Sequence, residues 1–129
     1  RIDLLQFSLR DPHANAVIVN ALQREATVVV KKSLQEGFGL GVAEAMWKRR
    51  PVVASDVGGH RVQIEHGVSG VLVPDARNLP RFGRAIADML ADPERRRRLG
   101  EAAHEQVRTR FLPDRHMAAW MRLLAELGR

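Results

Sequence analysis

Residues 36 to 46 read EGFGLGVAEAM and concentrate the groups best suited to ligand chemistry. Gly37 and Gly39 let a backbone approach a ligand closely and accept left-handed torsion angles. If a helix starts at about Leu40, just past Phe38 and Gly39, its unpaired amides favour an anion such as a diphosphate. Glu36 then lies in the loop and Glu44 about one turn inside the helix. Carboxylates at such a rim accept hydrogen bonds from sugar hydroxyls, as an acidic side chain does for ribose in dinucleotide sites. Phosphate at the helix start with a sugar on either side suits a nucleotide sugar. The bland alternative is a tight turn whose glutamates are solvated helix-terminus charges.

The flanking sequence supplies the elements that would position such a loop. TVVVKKS, residues 27 to 33, is β-branched and too short for a helix. The helix from about Leu40 to Lys48 ends before Pro51, and PVVAS reads as a second buried strand. Gly58 and Gly59 signal a turn, VQIEHG a short helix, and SGVLVP a further strand closed by Pro74. Upstream, IDLLQFS at residues 2 to 8 reads as a strand, and NAVIVNALQRE as a helix with Asn15 as its cap. Runs such as VVV and PVV do not alternate, so the strands are expected to be covered on both faces, as in a parallel sheet wrapped by helices. The fold class is α/β, and a loop at the carboxyl edge of such a sheet is where open α/β folds place ligands.

After Pro74 three helical segments follow without a strand: LPRFGRAIADMLA, PERRRRLGEAAHEQVRTRF and PDRHMAAWMRLLAEL. Each begins at or just before a proline, which suits a first helical turn. The second predicts pairing of Glu94 with Arg98, or Arg97 with Glu101, across one turn. In the third, Met117, Trp120, Leu124 and Leu127 share an apolar face that needs a cover.

Composition bounds the function. The chain has 129 residues and 45% hydrophobic and 28% charged residues, which fits one ordinary soluble domain with a single core. No apolar run approaches the roughly 20 residues of a membrane span, and the first residues lack a signal-peptide core, so a cytoplasmic location is expected. Without cysteine there is no disulfide framework or thiolate metal site. The net charge of +6 admits an anionic partner, but no tyrosine and 5% aromatics leave little for stacking bases, and nucleic acid is not expected as a partner.

The run EGFGLGVAEAMWKRRPVVASDVGG, with its Glu-x7-Glu spacing, resembles the donor-site signature of glycosyltransferase family 4, retaining enzymes of the two-Rossmann-domain GT-B fold. The resemblance continues through HGVSGVLVPD and ADPERRRRLGEAAHEQV to the final helix. Within the family, VNALQRE, AMWKRRPVV and GGHRVQIEHG are most similar to the trehalose-forming branch, which joins nucleotide-activated glucose to glucose. Many relatives carry a glutamate where this chain has Gln63. Other disaccharide- or polysaccharide-forming members of the family are the nearest alternatives.

The resemblance implies a role for each residue of the opening stretch. Glu44 matches the glutamate on the ribose hydroxyls, and Glu36 the catalytic-site glutamate beside the donor glucose. The backbone of Gly37, Phe38, Gly39 and Leu40 matches the segment that contacts the sugar and the diphosphate. The donor is then ADP-glucose or UDP-glucose, a substrate, and neither a cofactor nor a metal is implied. No His-x3-His or clustered-carboxylate spacing offers a metal site.

The same resemblance implies that residues 1 to 129 are part of a donor domain of about four strands, lacking an acceptor-binding amino-terminal domain and a strand–helix–strand that carries an arginine and a lysine for the diphosphate. Open sheet edges then predict a homodimer or strand-exchanged oligomer, and a catalytically silent half-domain is the rival from another class. Asp56, Gly58 and Gly59 are expected to shape the loop beside the site. Lys31 and Lys32 point toward it as solvated strand-end lysines, one of which could meet phosphate. His13, His60, His66, His104 and His116 are expected at surface or turn positions.

Overall fold

The computed structural model describes residues 3–6 and 11–128. Its centre is a parallel sheet in the order β1 (Val29–Lys31), β2 (Val52–Ser55), β3 (Val71–Val73). Val29, Val30 and Lys31 register with Val52, Val53 and Ala54, and Val53, Ala54 and Ser55 with Val71, Leu72 and Val73. α1 (Pro12–Glu25) precedes the sheet, α2 (Leu40–Trp47) joins β1 to β2, and α3 (Gly58–Gln63) lies between β2 and β3. α4 (Leu79–Ala91), α5 (Pro93–Arg110) and α6 (Pro113–Leu127) follow β3.

β2 shows why its sequence carries no in–out alternation. Val52 and Ala54 face one apolar cluster with Val42, Ala45 and Met46 of α2 and Ala103 and Val107 of α5. Val53 faces the other, with Val71, Val73, Phe82, Met89 and Leu99. The period-two geometry of a strand is intact, but both faces are covered, so every position is apolar or small. Fully burying side chains such as Met46, Met89 or Leu99 contributes roughly 1.5–3 kcal/mol each. α5 closes the layer over α2 by sliding Gly100 against the Arg49 carbonyl, at 2.2 Å from where a Cβ would stand.

Several expectations need correction. Of the strand expected at residues 2 to 8, residues 3–6 are neither helix nor strand and Leu4 and Leu5 are exposed; residues 2, 7 and 8 lie outside the described residues. An apolar run becomes a strand only where a neighbour completes the ladder, and no described strand lies beside it. The sheet therefore has three strands among the described residues, not four. α1 is capped by Asp11, whose carboxylate accepts from the Ala14 amide at 3.0 Å, rather than by Asn15. α3 starts four residues before the helix expected from VQIEHG, using the two glycines as its first turn. On α5, Glu94 pairs with Arg97 and not Arg98, while Glu101 turns outward to Arg49 at 3.1 Å. All four groups are more than half exposed, so these pairs contribute at most about 1 kcal/mol each.

The apolar stripe of α6 is left open: Met117, Trp120, Leu124 and Leu127 are 50% to 75% exposed, and the helix buries no residue. The cover that the sequence calls for is not supplied by α5, since no residue of α6 is buried. Trp120 instead meets its own helix, its Nε1–H donating to His116 Nε2 at 2.8 Å. Trp120→Ala is therefore expected to change the unfolding free energy by less than about 0.5 kcal/mol, as at other surface positions. Denaturant titration of the two proteins at equal concentration checks it.

Candidate functional site

The site is built at the carboxyl ends of β1 and β2. Ser55 ends β2 and donates its Oγ–H to the Ser33 carbonyl, tying the loop after β1 to the neighbouring strand. The chain then crosses to Gly39, whose φ of 89° lies in the left-handed region and turns it into α2. The Gly39 carbonyl accepts from Val42 at 2.9 Å and Ala43 at 3.2 Å, and no side chain caps the helix start. This is the loop-to-helix junction expected from the sequence, with Leu40 as its first helical residue.

α3 holds the loop from beneath. The Glu36 carbonyl accepts from the Gly59 amide at 2.9 Å, and the Phe38 carbonyl from Gln63 Nε2 at 2.7 Å. A glutamate at position 63 could make the second bond only when protonated, so the amide of Gln63 is what the contact requires. The approach is close enough that a Cβ on Gly58 would stand 1.9 Å from the Glu36 oxygen, and one on Gly59 2.1 Å from the Phe38 oxygen. In a trans peptide the N–H points opposite to the C=O. With both carbonyls turned onto α3, the amides of Gly37 and Gly39 point to the other side. Among the described residues neither has a protein acceptor.

The two carboxylates flank these amides in different settings. Glu36 is about one quarter exposed; its Oε2 accepts weakly from Ser33 Oγ at 3.4 Å and lies 3.9 Å from both Lys31 Nζ and His60 Nε2. Glu44 is half-buried and is oriented from α1. Gln23 Nε2 donates to Glu44 Oε2 at 3.4 Å and to the Gly41 carbonyl at 3.3 Å, while Gln23 Oε1 accepts from Lys48 Nζ at 2.6 Å. Burial pushes the Lys48 ammonium below its ordinary range; nearby Glu44 acts in the opposite direction, and Arg24 adds to the lowering.

The structure thus brings Glu36, Gly37, Phe38, Gly39, Leu40 and Glu44 to one rim. Gly58 and Gly59 shape the loop as expected, while Asp56 is engaged by Arg61, at 2.6 Å to its carboxylate and 2.8 Å to its carbonyl. Lys31 faces Glu36, and Lys32 is exposed. Phe38 leaves the loop and packs edge-on against Phe111, beside an open cleft of about 540 Å³ at the α5–α6 junction that is rimmed by Arg110 and Arg115. His60 is the correction here: it is fully buried, not at a surface or turn. Gln23, Ser33 and Lys48 are participants that sequence reasoning missed, and only their spacing from the glutamates after folding reveals them. Among the described residues no group of three or more His, Asp or Glu could hold a metal, and no helix is long and apolar enough to cross a membrane.

Residues 6–106 match the model of the family described as glycosyl transferases group 1. The chain belongs to that family. It is 46% identical over 115 residues to a trehalose synthase of Rubrobacter xylanophilus, covering 89% of this chain and 27% of that protein. Among solved structures it is similar to the sucrose-phosphate synthase of Thermosynechococcus elongatus, with a TM-score of 0.75, 34% identity, and 89% of this chain against 28% of that one covered. It is also similar to a TarM variant from S. aureus solved with fondaparinux, alpha-GlcNAc-glycerol and UDP, with a TM-score of 0.74, 27% identity and coverage of 81% and 21%. The chain spans about a quarter of the length of the curated relatives it matches. These glycosyltransferase neighbours agree with an α/β architecture that is a portion of the GT-B fold.

Proposed function

We propose that this chain is the donor-binding portion of a retaining glucosyltransferase that takes glucose from ADP-glucose or UDP-glucose. Glucose is the acceptor, and trehalose the product, with the acceptor supplied through an amino-terminal domain. The observation that carries this reading is the pair of amides on Gly37 and the buried Gly39, turned away from α3 without a protein acceptor among the described residues and held between Glu36 and Glu44 at an uncapped helix start. Amides and helix dipole together stabilise a diphosphate. Glu44, set from α1, is placed for the ribose hydroxyls, and Glu36 for the transferred glucose. In a retaining transfer the acceptor oxygen attacks from the face that the diphosphate leaves, so donors aimed at the departing oxygens lower the barrier by stabilising charge as it develops. The 46% identical trehalose synthase supports the choice of acceptor, and UDP in the TarM structure supports the choice of donor class.

Titrating the chain with ADP-glucose and with UDP-glucose under amide NMR tests the reading. The expected result is a set of shifts centred on residues 36 to 44, larger for one of the two nucleotides. Shifts scattered over basic surface residues, or none, would overturn it.

β1 is one of the sheet's two edge strands among the described residues, and Val30 on it is 42% exposed. That open edge favours self-association in addition to donor binding. Sedimentation of the chain with and without nucleotide sugar distinguishes a silent module, which dimerises without responding to ligand, from a donor-binding portion.

A further inference from the structure

His60 is fully buried, and the fold treats its two ring nitrogens differently. Nδ1 lies 2.9 Å from the Ser55 carbonyl, which can only accept, so Nδ1 carries a hydrogen. Nε2 is buried without any hydrogen-bond partner. It points past Gly39, where a Cβ would stand 3.3 Å from Nε2 and 2.9 Å from Cδ2, toward Glu36 Oε2 at 3.9 Å. A bare lone pair facing a carboxylate across that gap is repulsive and leaves a buried acceptor unmet, a costly arrangement. A hydrogen on Nε2 removes both problems, since an imidazolium donates at both nitrogens.

We propose that His60 is a positioning residue: it donates Nε2–H to Glu36 and fixes the carboxylate that meets the transferred sugar. The inference rests on the donor-site reading above and assigns to that site a part that its sugar-facing half needs. Closing the gap from 3.9 Å takes roughly 1 Å of loop movement, given the usual reach of a charge-assisted bond. Gly39 permits it because no side chain stands between ring and carboxylate. The charged groups facing the pair are Glu36 itself and Lys31 at the end of β1, 3.9 Å from the carboxylate and a little under half exposed. Asp56 and Arg61, next to His60 along the chain, are occupied with each other. With Oε2 held by His60, Ser33 and Lys31, Oε1 is left for a sugar hydroxyl.

The decisive comparison is between sugar nucleotides and the bare nucleotides UDP and ADP, because Glu36 is assigned to the sugar and not to the diphosphate. His60→Leu is expected to weaken UDP-glucose or ADP-glucose binding about tenfold while leaving UDP and ADP within about twofold, the scale of one lost charge-assisted bond. His60→Gln, whose amide can still donate toward Glu36, is expected to recover most of the loss. Equal weakening of sugar nucleotide and bare nucleotide would show that His60 merely supports the loop, and no change in either would dismiss it altogether. Independently of ligand, nitrogen-15 NMR of His60 in the wild-type chain should show both ring nitrogens protonated, and the Nε2 resonance should move in Glu36→Gln. A bare Nε2 overturns the inference. If the wild-type chain bound neither sugar nucleotides nor nucleotides, the donor-site reading would fail, and the state of His60 would still decide the pairing.

Discussion

Replacing Gly59 with alanine is expected to destabilise the chain by about 3 kcal/mol and to abolish ordered donor binding. Two effects compete. Gly59 lies in the first turn of α3, where the propensity scale alone makes alanine favourable by about 1 kcal/mol. Against this, the new Cβ would stand 2.1 Å from the Phe38 oxygen and 2.4 Å from its carbonyl carbon, backbone atoms that cannot rotate aside. Either α3 moves, breaking the Gly59–Glu36 and Gln63–Phe38 bonds, or the loop does, and both routes leave buried polar groups unmet at about 1–3 kcal/mol each. Sterics win. Gly83 on α4 is the control, since a Cβ there meets nothing within 4 Å. Gly83→Ala is expected to stabilise by about 0.5–1 kcal/mol. Denaturant midpoints of the two variants, with amide spectra of residues 36 to 39, check the pair. A Gly59→Ala protein as stable as Gly83→Ala would mean that the loop does not rest on α3.

That contrast also shows what was legible in the sequence. β2 and the helices α4, α5 and α6 are governed by local signals, namely an unbroken apolar run or a proline in the first turn, and they stand close to where those signals place them. The loop-to-helix junction at Gly39 is legible for the same reason: two glycines between a β-branched run and an apolar segment mark where a strand gives way to a helix. What could not be read depends on partners distant along the chain. Gly58 and Gly59 look like a turn because local propensity knows nothing of the Glu36 and Phe38 carbonyls that make glycine obligatory there. His60 looks like a surface histidine until β2 places the Ser55 carbonyl beneath it. Glu44 could be recognised, but not the Gln23 that aims it, because helix α1 meets α2 only in the folded chain. The run expected as a strand fails in the opposite sense at its described residues 3–6: the apolar pattern is a strand's, but a strand needs a neighbour.

For Glu44→Ala, the expected result is a roughly 30-fold loss of nucleotide affinity, about 2 kcal/mol, from removing the carboxylate proposed to accept from ribose hydroxyls. Inorganic diphosphate, which needs only the amides and the helix start, should bind the variant as it binds the wild type. Equal loss of both ligands would sink the assignment of Glu44 to the ribose. The variant should fold, since alanine suits α2 and Gln23 keeps its bonds to the Gly41 carbonyl and to Lys48. Lys48 supplies a second readout. Its ammonium already titrates below the ordinary range because of burial, with Glu44 opposing that shift. Without Glu44 the pKa should fall further. The sign for stability follows from proton binding. Between the lowered folded value and the ordinary unfolded one, the unfolded chain binds more protons, so stability rises with pH across that window. In Glu44→Ala the rise should begin at lower pH, because the window's lower end moves down. Lysine side-chain NMR gives the shift directly, and urea midpoints through the alkaline range give its effect on stability. An unchanged Lys48 beside a lost nucleotide would place Glu44 on the ligand but not on the lysine.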